Sequence, residues 1–122
     1  MTSSTPADPA ARSLSDGEFH RLTQAVFAAI EAQIDHWLQD DVIDIDTQRT
    51  GGLLELAFPG GSKIILNTQP PLHELWLAAK GGGHHYRWLE GAWRDTRDQS
   101  EFFAALSEHA SQQGGKALQF SA

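Results

Sequence analysis

Between residues 42 and 96 the chain consists of short segments in which apolar and polar residues alternate, separated by turns rich in glycine and proline. Alternation at every second position is typical of β-strands with one face in a core. The predicted strands are "VIDIDT" (42–47), "LLELAF" (53–58), "SKIILNTQ" (62–69), "HELWLAAK" (73–80), "HHYRWLE" (84–90) and "AWRDT" (92–96). Because tight turns join successive segments, we expect the strands to pair antiparallel, as a meander.

A helix is predicted on each side of these strands. Ser15 and Glu18 have the spacing of a capping box, which marks a helix start, and apolar residues then recur every three or four positions until about residue 38. These residues are Phe19, Leu22, Val26, Ile30, Ile34 and Trp37. A second helix is expected to begin near Asp98 and to end at Gly114-Gly115. The order of elements therefore indicates an α+β protein whose two helices cover one face of an antiparallel sheet.

Length and composition limit the kinds of site that this chain can form. Its 122 residues correspond to one domain, and the absence of cysteine excludes disulfides, thiolate metal sites and cysteine nucleophiles. No apolar run approaches the roughly 20 residues of a membrane span, and the N-terminus lacks the apolar segment of a secretory signal. We expect a cytoplasmic protein with a disordered tail over residues 1–14 and a single domain over residues 15–122.

The net charge of −7 is concentrated near the N-terminus. Residues 1–46 contain nine acids and two bases, whereas residues 47–122 contain seven of each. Two of these acids project from the exposed flank of the predicted first helix, and four aspartates follow within residues 40–46; we call the six together the acidic ridge. The acidic ridge comprises Glu31, Asp35, Asp40, Asp41, Asp44 and Asp46. This charge argues against nucleic acid as a partner and favours cations or a basic protein surface.

The chemistry of the acidic ridge suits hard metal ions. Carboxylate oxygens are hard donors, which suit ferric iron and, less selectively, ferrous iron. Manganese, calcium and magnesium should compete, because ligand type alone discriminates poorly among these ions. The sequence shows no residues that would hydrogen-bond to these carboxylates and orient their oxygens. The affinity of the acidic ridge for metal ions should therefore be modest. The alternative is that these acids form only a solvated surface that aids solubility.

Trp76 is a candidate for protein contact. It alternates with two leucines, so it should stand on the open face of the sheet, where Asn67 and Gln69 lie beside it. An exposed tryptophan flanked by amides is typical of a binding hot spot. The alternative is that long neighbours such as Lys63 or Arg87 shelter it.

The six histidines and the motif content give no sign of catalysis. His84 and His85 are adjacent on a strand and face opposite ways, so they cannot chelate one ion together. With His73 in a turn and His109 on the second helix, we expect separate surface or capping histidines. Motifs for a serine nucleophile, a zinc protease or a phosphate loop are absent from the sequence, and we expect a protein that is not an enzyme.

The segment "GSKIILNTQPPLHELWLAAKGGGHHYRW" resembles the frataxin family, in its bacterial, CyaY-type branch. The most specific part is the pattern N-x-Q-x-P-x-x-x-x-W-L-A, formed here by Asn67, Gln69, Pro71, Trp76, Leu77 and Ala78. "EFHRL" in the first helix and "QQGGKALQF" at the end are also similar, so the resemblance extends from about Ser15 to Phe120.

The resemblance implies a fold and a role. The fold is a two-layer α-β sandwich, with an antiparallel sheet covered on one face by the N-terminal and C-terminal helices. The role is that of an adaptor or regulator of iron–sulfur cluster assembly. Such a protein binds ferrous or ferric iron weakly and docks on the cysteine desulfurase and the scaffold protein. We expect a monomer, with metal-induced oligomers as an open alternative.

The resemblance also implies residues for each task. The implied metal-binding residues are Glu18, His20, Glu31, Asp35, Asp40, Asp41, Asp44 and Asp46. The implied partner-binding residues are Glu31, Asp35, Asp44, Asp46, Asn67, Gln69 and Trp76. The chain departs from bacterial relatives at Ala32, His36 and Leu38, which thins the helical side of the acidic ridge. The alternatives are an acidic interaction module without a metal role and a protein that oxidises or stores iron.

Overall fold

A six-stranded antiparallel sheet carries two helices in the computed structural model, which describes residues 14–122. The elements are α1 (Asp16–Gln39), β1 (Asp46–Thr50), β2 (Leu53–Ala57), β3 (Lys63–Gln69), a 3-10 turn (Pro70–Leu72), β4 (Glu74–Ala79), β5 (Gly82–Leu89), β6 (Ala92–Asp95) and α2 (Phe102–Gly114). The strands lie in the sheet in chain order, and each pairs antiparallel with the next. The predicted α+β class and two-layer α-β sandwich are confirmed.

The start of α1 follows from its first residues. The Ser15 hydroxyl accepts a hydrogen bond from the Glu18 backbone N–H at 3.1 Å, and the Ser15 N–H donates to the Glu18 carboxylate at 2.9 Å. This capping box satisfies two backbone donors that a helix end otherwise leaves open. The predicted apolar stripe then packs on the sheet, with Ile30 fully buried. Phe27, which lies outside that predicted stripe, is also fully buried.

The core lies between the sheet and the helices. The inward side chains of β2, β3, β4 and β5 are almost completely buried. They include Leu54, Leu56, Ile64, Leu66, Leu75, Leu77 and Tyr86. Each buried leucine or isoleucine contributes roughly 1.5–3 kcal/mol relative to an exposed one, so this layer fixes which face of every strand is left for function.

Two predicted boundaries are wrong. The first strand is Asp46–Thr50, not residues 42–47, and its side chains are all exposed. Ile45 is buried, but it belongs to the connection after α1, which has no strand partner until Asp46 pairs with Ala57. The second helix begins at Phe102 rather than near Asp98. Glu101 is its N-cap, and the Glu101 carboxylate accepts from two backbone N–H groups.

The predicted tail lies outside the described residues, apart from Leu14, which packs against the core. None of the helices within residues 14–122 is long and apolar enough to cross a membrane.

Candidate functional site

Four of the six acids of the ridge line one groove between α1 and the beginning of β1. They are Glu31, Asp35, Asp44 and Asp46. The groove has a volume of about 520 Å³, and its remaining surface is largely apolar, with Ile34, Leu38 and Ile45 among the lining residues. Helical spacing of four on α1 and alternation along the chain before β1 aim these carboxylates at the same space.

Glu31 is not a free carboxylate, because Arg49 of β1 pairs with it. The Arg49 guanidinium contacts Glu31 through Nη2 at 2.5 Å and through Nε at 3.1 Å, and it also donates to Gln24. It lies 5.4 Å from the centre of the Phe27 ring. The hydrogen bond to Glu31 raises the pKa of Arg49, against a smaller opposing effect of burial. The local charge of the groove is therefore carried by the three aspartates.

Those three aspartates are exposed and lack a cation. Within residues 14–122, no lysine, arginine or histidine forms an ion pair with Asp35, Asp44 or Asp46. Three unpaired negative charges around one groove repel one another, and a bound cation relieves that repulsion.

Asp40 and Asp41 lie beside the groove rather than in it. Asp40 is the C-cap residue of α1, and Asp41 adopts a left-handed backbone with φ of 59°. Both are exposed. They extend the negative field toward the end of the helix, where the Lys116 ammonium donates to the Val42 carbonyl at 2.5 Å.

Glu18 and His20 lie at the other end of α1. With a rise of 1.5 Å per residue, Glu18 is about 26 Å from Asp35 along the helix, and its carboxylate belongs to the capping box. Near this end of α1, His73 Nε2 lies 2.8 Å from Asp16 Oδ1, and the His73 ring stacks on Phe19. The two implied ligands therefore do not join the groove.

The described residues contain no group of three or more histidine, aspartate or glutamate side chains placed to hold a metal ion. The acidic ridge is an open array of single carboxylates, without the fixed coordination of a dedicated metal centre.

The second predicted surface is a row of side chains across the open face of the sheet. Asn67 pairs in register with Trp76, and Trp76 pairs with His85. The Trp76 and His85 rings stack with their centroids 4.0 Å apart and an interplanar angle of 5°. Trp76 faces away from the core, as predicted, but it is half-buried. The ring stacked on it is His85, whereas the alternative prediction names Lys63 or Arg87 as its cover.

A buried carboxylate fixes the orientation of Trp76. Glu74 is 5% exposed, accepts from Trp76 Nε1 at 2.9 Å, and accepts from Arg87 Nε at 2.9 Å. Gln69 pairs in register with Glu74 and is also half-buried. The sequence gives no sign that Glu74 is buried, although its alternation with Trp76 places it on the same face.

The expectation of isolated histidines is wrong for His84 and His109. Their Nε2 atoms lie 3.2 Å apart, between β5 and α2. His84 alternates with the buried Tyr86, so it faces the helices. The alternation of His84 with Tyr86 could therefore have predicted that His84 faces the helices.

The chain is similar to known proteins over most of its length. A model of the frataxin-like domain matches residues 12–116. The chain is 51% identical over 109 residues to the iron-sulfur cluster assembly protein CyaY of Burkholderia mallei (strain SAVP1), which covers 89% of this chain and 100% of the relative. A frataxin from Psychromonas ingrahamii has a TM-score of 0.79 and 35% identity, over 89% of this chain and 100% of that one.

A more distant structure, a trimeric frataxin from the yeast Saccharomyces cerevisiae complexed with ferrous, has a TM-score of 0.55 and 22% identity. It covers 88% of this chain and 93% of its own, and shows the likeness of the fold alone. The family model and the two bacterial relatives, which match most of the chain, show that it belongs to the frataxin family.

Proposed function

We propose that this protein takes part in iron–sulfur cluster assembly, where its acidic ridge binds iron weakly and docks on the cysteine desulfurase. The observation that carries the proposal is the groove in which Asp35, Asp44 and Asp46 converge without a paired cation from residues 14–122. The B. mallei relative is an iron-sulfur cluster assembly protein by name.

The groove suits iron as a transferable cargo rather than a resident ion. Its exposed carboxylate oxygens attract a hard cation, but within residues 14–122 no ion pair holds the side chains of the three aspartates in a fixed geometry. Such a site releases its ion readily, which is the behaviour that delivery or sensing of iron requires.

The same negative field suits a basic patch on a larger protein. The excess of acids lies on α1, the connection and the start of β1, so a partner meets one continuous charged edge. Electrostatic attraction of this kind speeds association and weakens with ionic strength. Because iron and the desulfurase use the same carboxylates, a bound ion should alter docking.

The test is a double neutralisation, Asp44→Asn/Asp46→Asn. The matched control is Glu90→Gln/Glu108→Gln, which removes two exposed acids away from the ridge. We expect the ridge variant to lose ferrous-iron binding, measured by anaerobic titration and ¹H–¹⁵N spectra, and to lose most desulfurase affinity at low salt. Equal binding by the ridge variant and the control would refute the proposal.

One observation favours a second function, that of an acidic interaction module without a physiological metal role. Arg49 neutralises Glu31, and the described side chains do not form a metal centre. The ridge variant separates the two functions: loss of desulfurase docking without any ferrous binding by the native chain supports the interaction module.

The open face of the sheet provides a second docking surface, which we assign to the scaffold protein. This surface presents two amides and an indole edge on one face of the sheet. The amides belong to Asn67 and Gln69 of β3, and the indole belongs to Trp76 of β4. Rigid amphipathic rings bind partners at low entropic cost, and Glu74 supplies the rigidity here. The charged groups at its centre, Glu74 and Arg87, are paired with each other, so docking on this surface should respond less to salt than docking on the acidic ridge.

A further inference from the structure

His84 and His109 meet on the helical side of the sheet, away from both surfaces described above. His84 lies on β5 and His109 on α2, and their Nε2 atoms are 3.2 Å apart. The pair is four strands from β1, or about 19 Å from the acidic ridge at ordinary strand spacing. Its chemistry is imidazole nitrogen rather than carboxylate oxygen.

A buried carboxylate fixes the tautomer of His84. Asp95 is 1% exposed, and its Oδ2 lies 3.0 Å from His84 Nδ1. Since the carboxylate is an acceptor, Nδ1 carries the proton, which leaves a lone pair on Nε2 directed at His109. The Arg97 guanidinium also approaches His84 Nδ1, at 3.4 Å, but it donates to the Gly83 carbonyl at 3.0 Å.

His109 is held in place by packing. It is 8% exposed, and a Cβ added at Gly81 would lie 3.2 Å from its ring atoms Cε1 and Nδ1. Its Nδ1 is buried and has no hydrogen-bond partner in the described part of the chain. Burial and the nearby His84 lower the pKa of His109, and Glu108 opposes this weakly.

The spacing of the two nitrogens fits a metal ion. At metal–nitrogen distances of about 2.0–2.1 Å, two nitrogens 3.2 Å apart subtend about 100° at the ion, close to a tetrahedral angle. A carboxylate on the far nitrogen of a ligating histidine is the usual outer partner of such sites, and Asp95 occupies that position.

We propose that His84 and His109 form a binding site for one borderline divalent cation of the Zn²⁺ and Cu²⁺ class, with solvent completing its coordination. Small movements of the rings would admit the ion between the two Nε2 atoms, in place of the hydrogen bond that joins them in the metal-free protein. The proton that His109 Nε2 donates in that hydrogen bond would move to His109 Nδ1, which has no partner among the described residues. Neutral imidazole suits zinc and copper, and ferrous iron ranks below both in affinity for nitrogen sites. The proposal is independent of the function assigned to the acidic ridge.

The test is a zinc titration of the full chain at pH 7.5. Calorimetry measures the binding, and ¹H–¹⁵N correlations of the histidine rings show which rings take part. We expect one zinc ion per chain, with the ring signals of His84 and His109 shifted most. His109→Phe keeps an aromatic ring in the pocket and should weaken this binding by at least about tenfold. As controls, His36→Gln and the ridge variant Asp44→Asn/Asp46→Asn should retain it.

The ring correlations of the native protein decide the outcome even if His109→Phe is poorly folded. Zinc that shifts other histidine rings and leaves those of His84 and His109 unchanged would overturn the proposal. So would equal zinc affinity in the native chain and in a folded His109→Phe variant.

Discussion

At the scale of single residues, Arg49 determines how much charge the acidic ridge presents. It neutralises Glu31 and lies over the Phe27 ring. A pattern of acids along the sequence overstates the field because it does not show which of them a distant cation reaches. Glu31 and Arg49 are 18 positions apart and meet only when β1 folds beside α1.

We expect Arg49→Gln to strengthen cation binding by the groove, because it frees the Glu31 carboxylate. The free energy of unfolding should fall by only about 0.5–1 kcal/mol, since the pair is partly exposed to solvent. Ferrous or calcium titrations and urea unfolding measure the two effects. Arg94→Gln, on β6, is the matched control, and a similar gain in cation affinity there would show that net charge alone matters.

At the scale of elements, the sequence predicts best where structure is local. The alternation of β2 to β6 and the capping box of α1 identify those elements because each depends on neighbouring residues. The prediction places β1 too early in the sequence. Ile43 and Ile45 pack on the core at alternate positions, as in a strand, but pairing with β2 begins only at Asp46. Alternation reports which face is buried; it does not report where hydrogen-bonded pairing starts.

The hydrogen bonds that attach the C-terminal segment to α2 also could not be predicted from the sequence pattern. Ser107 and Ser111, one turn apart on α2, each accept a backbone N–H from the tail, those of Phe120 and Leu118 respectively. The sequence shows an apolar alternation in "KALQF", but nothing identifies two helix serines as its partners. Long-range pairing of polar groups is set by the packed layers and not by local pattern.

The β4–β5 face gives a prediction for Glu74→Gln. The new amide can accept from Trp76 or Arg87 but then presents a donor to the other, so one buried hydrogen bond is lost. We expect the free energy of unfolding to fall by about 1–3 kcal/mol, the Trp76 indole N–H to exchange faster with solvent, and scaffold affinity to decrease.

Denaturant unfolding, indole exchange by NMR and a scaffold titration test this prediction. Glu55→Gln is the control, because Glu55 lies on the same open face and pairs with the exposed Lys63 at 3.0 Å. A Trp76 indole that remains as protected in Glu74→Gln as in Glu55→Gln would contradict the positioning role of Glu74.

At the scale of the whole molecule, the chain folds in spite of the charge that it concentrates at one edge. The apolar core between the sheet and the helices is large enough to offset repulsion among Asp35, Asp44 and Asp46. Crowding of like charge destabilises the compact state. The negative charge proposed for function therefore destabilises the fold at this edge. A cation that binds there should reduce the repulsion and stabilise the folded state.

Calcium provides the measurement, since it takes oxygen ligands and does not favour the histidine pair. An ion that binds only the folded state stabilises it by about 1.4 kcal/mol at ten times its Kd, so the native chain should gain several degrees in Tm. Asp44→Asn/Asp46→Asn should start from a higher Tm at low salt and gain little from calcium. Potassium chloride at equal ionic strength controls for screening. If the variant and the native chain gained equally from calcium, the ion would be acting elsewhere than at the acidic ridge.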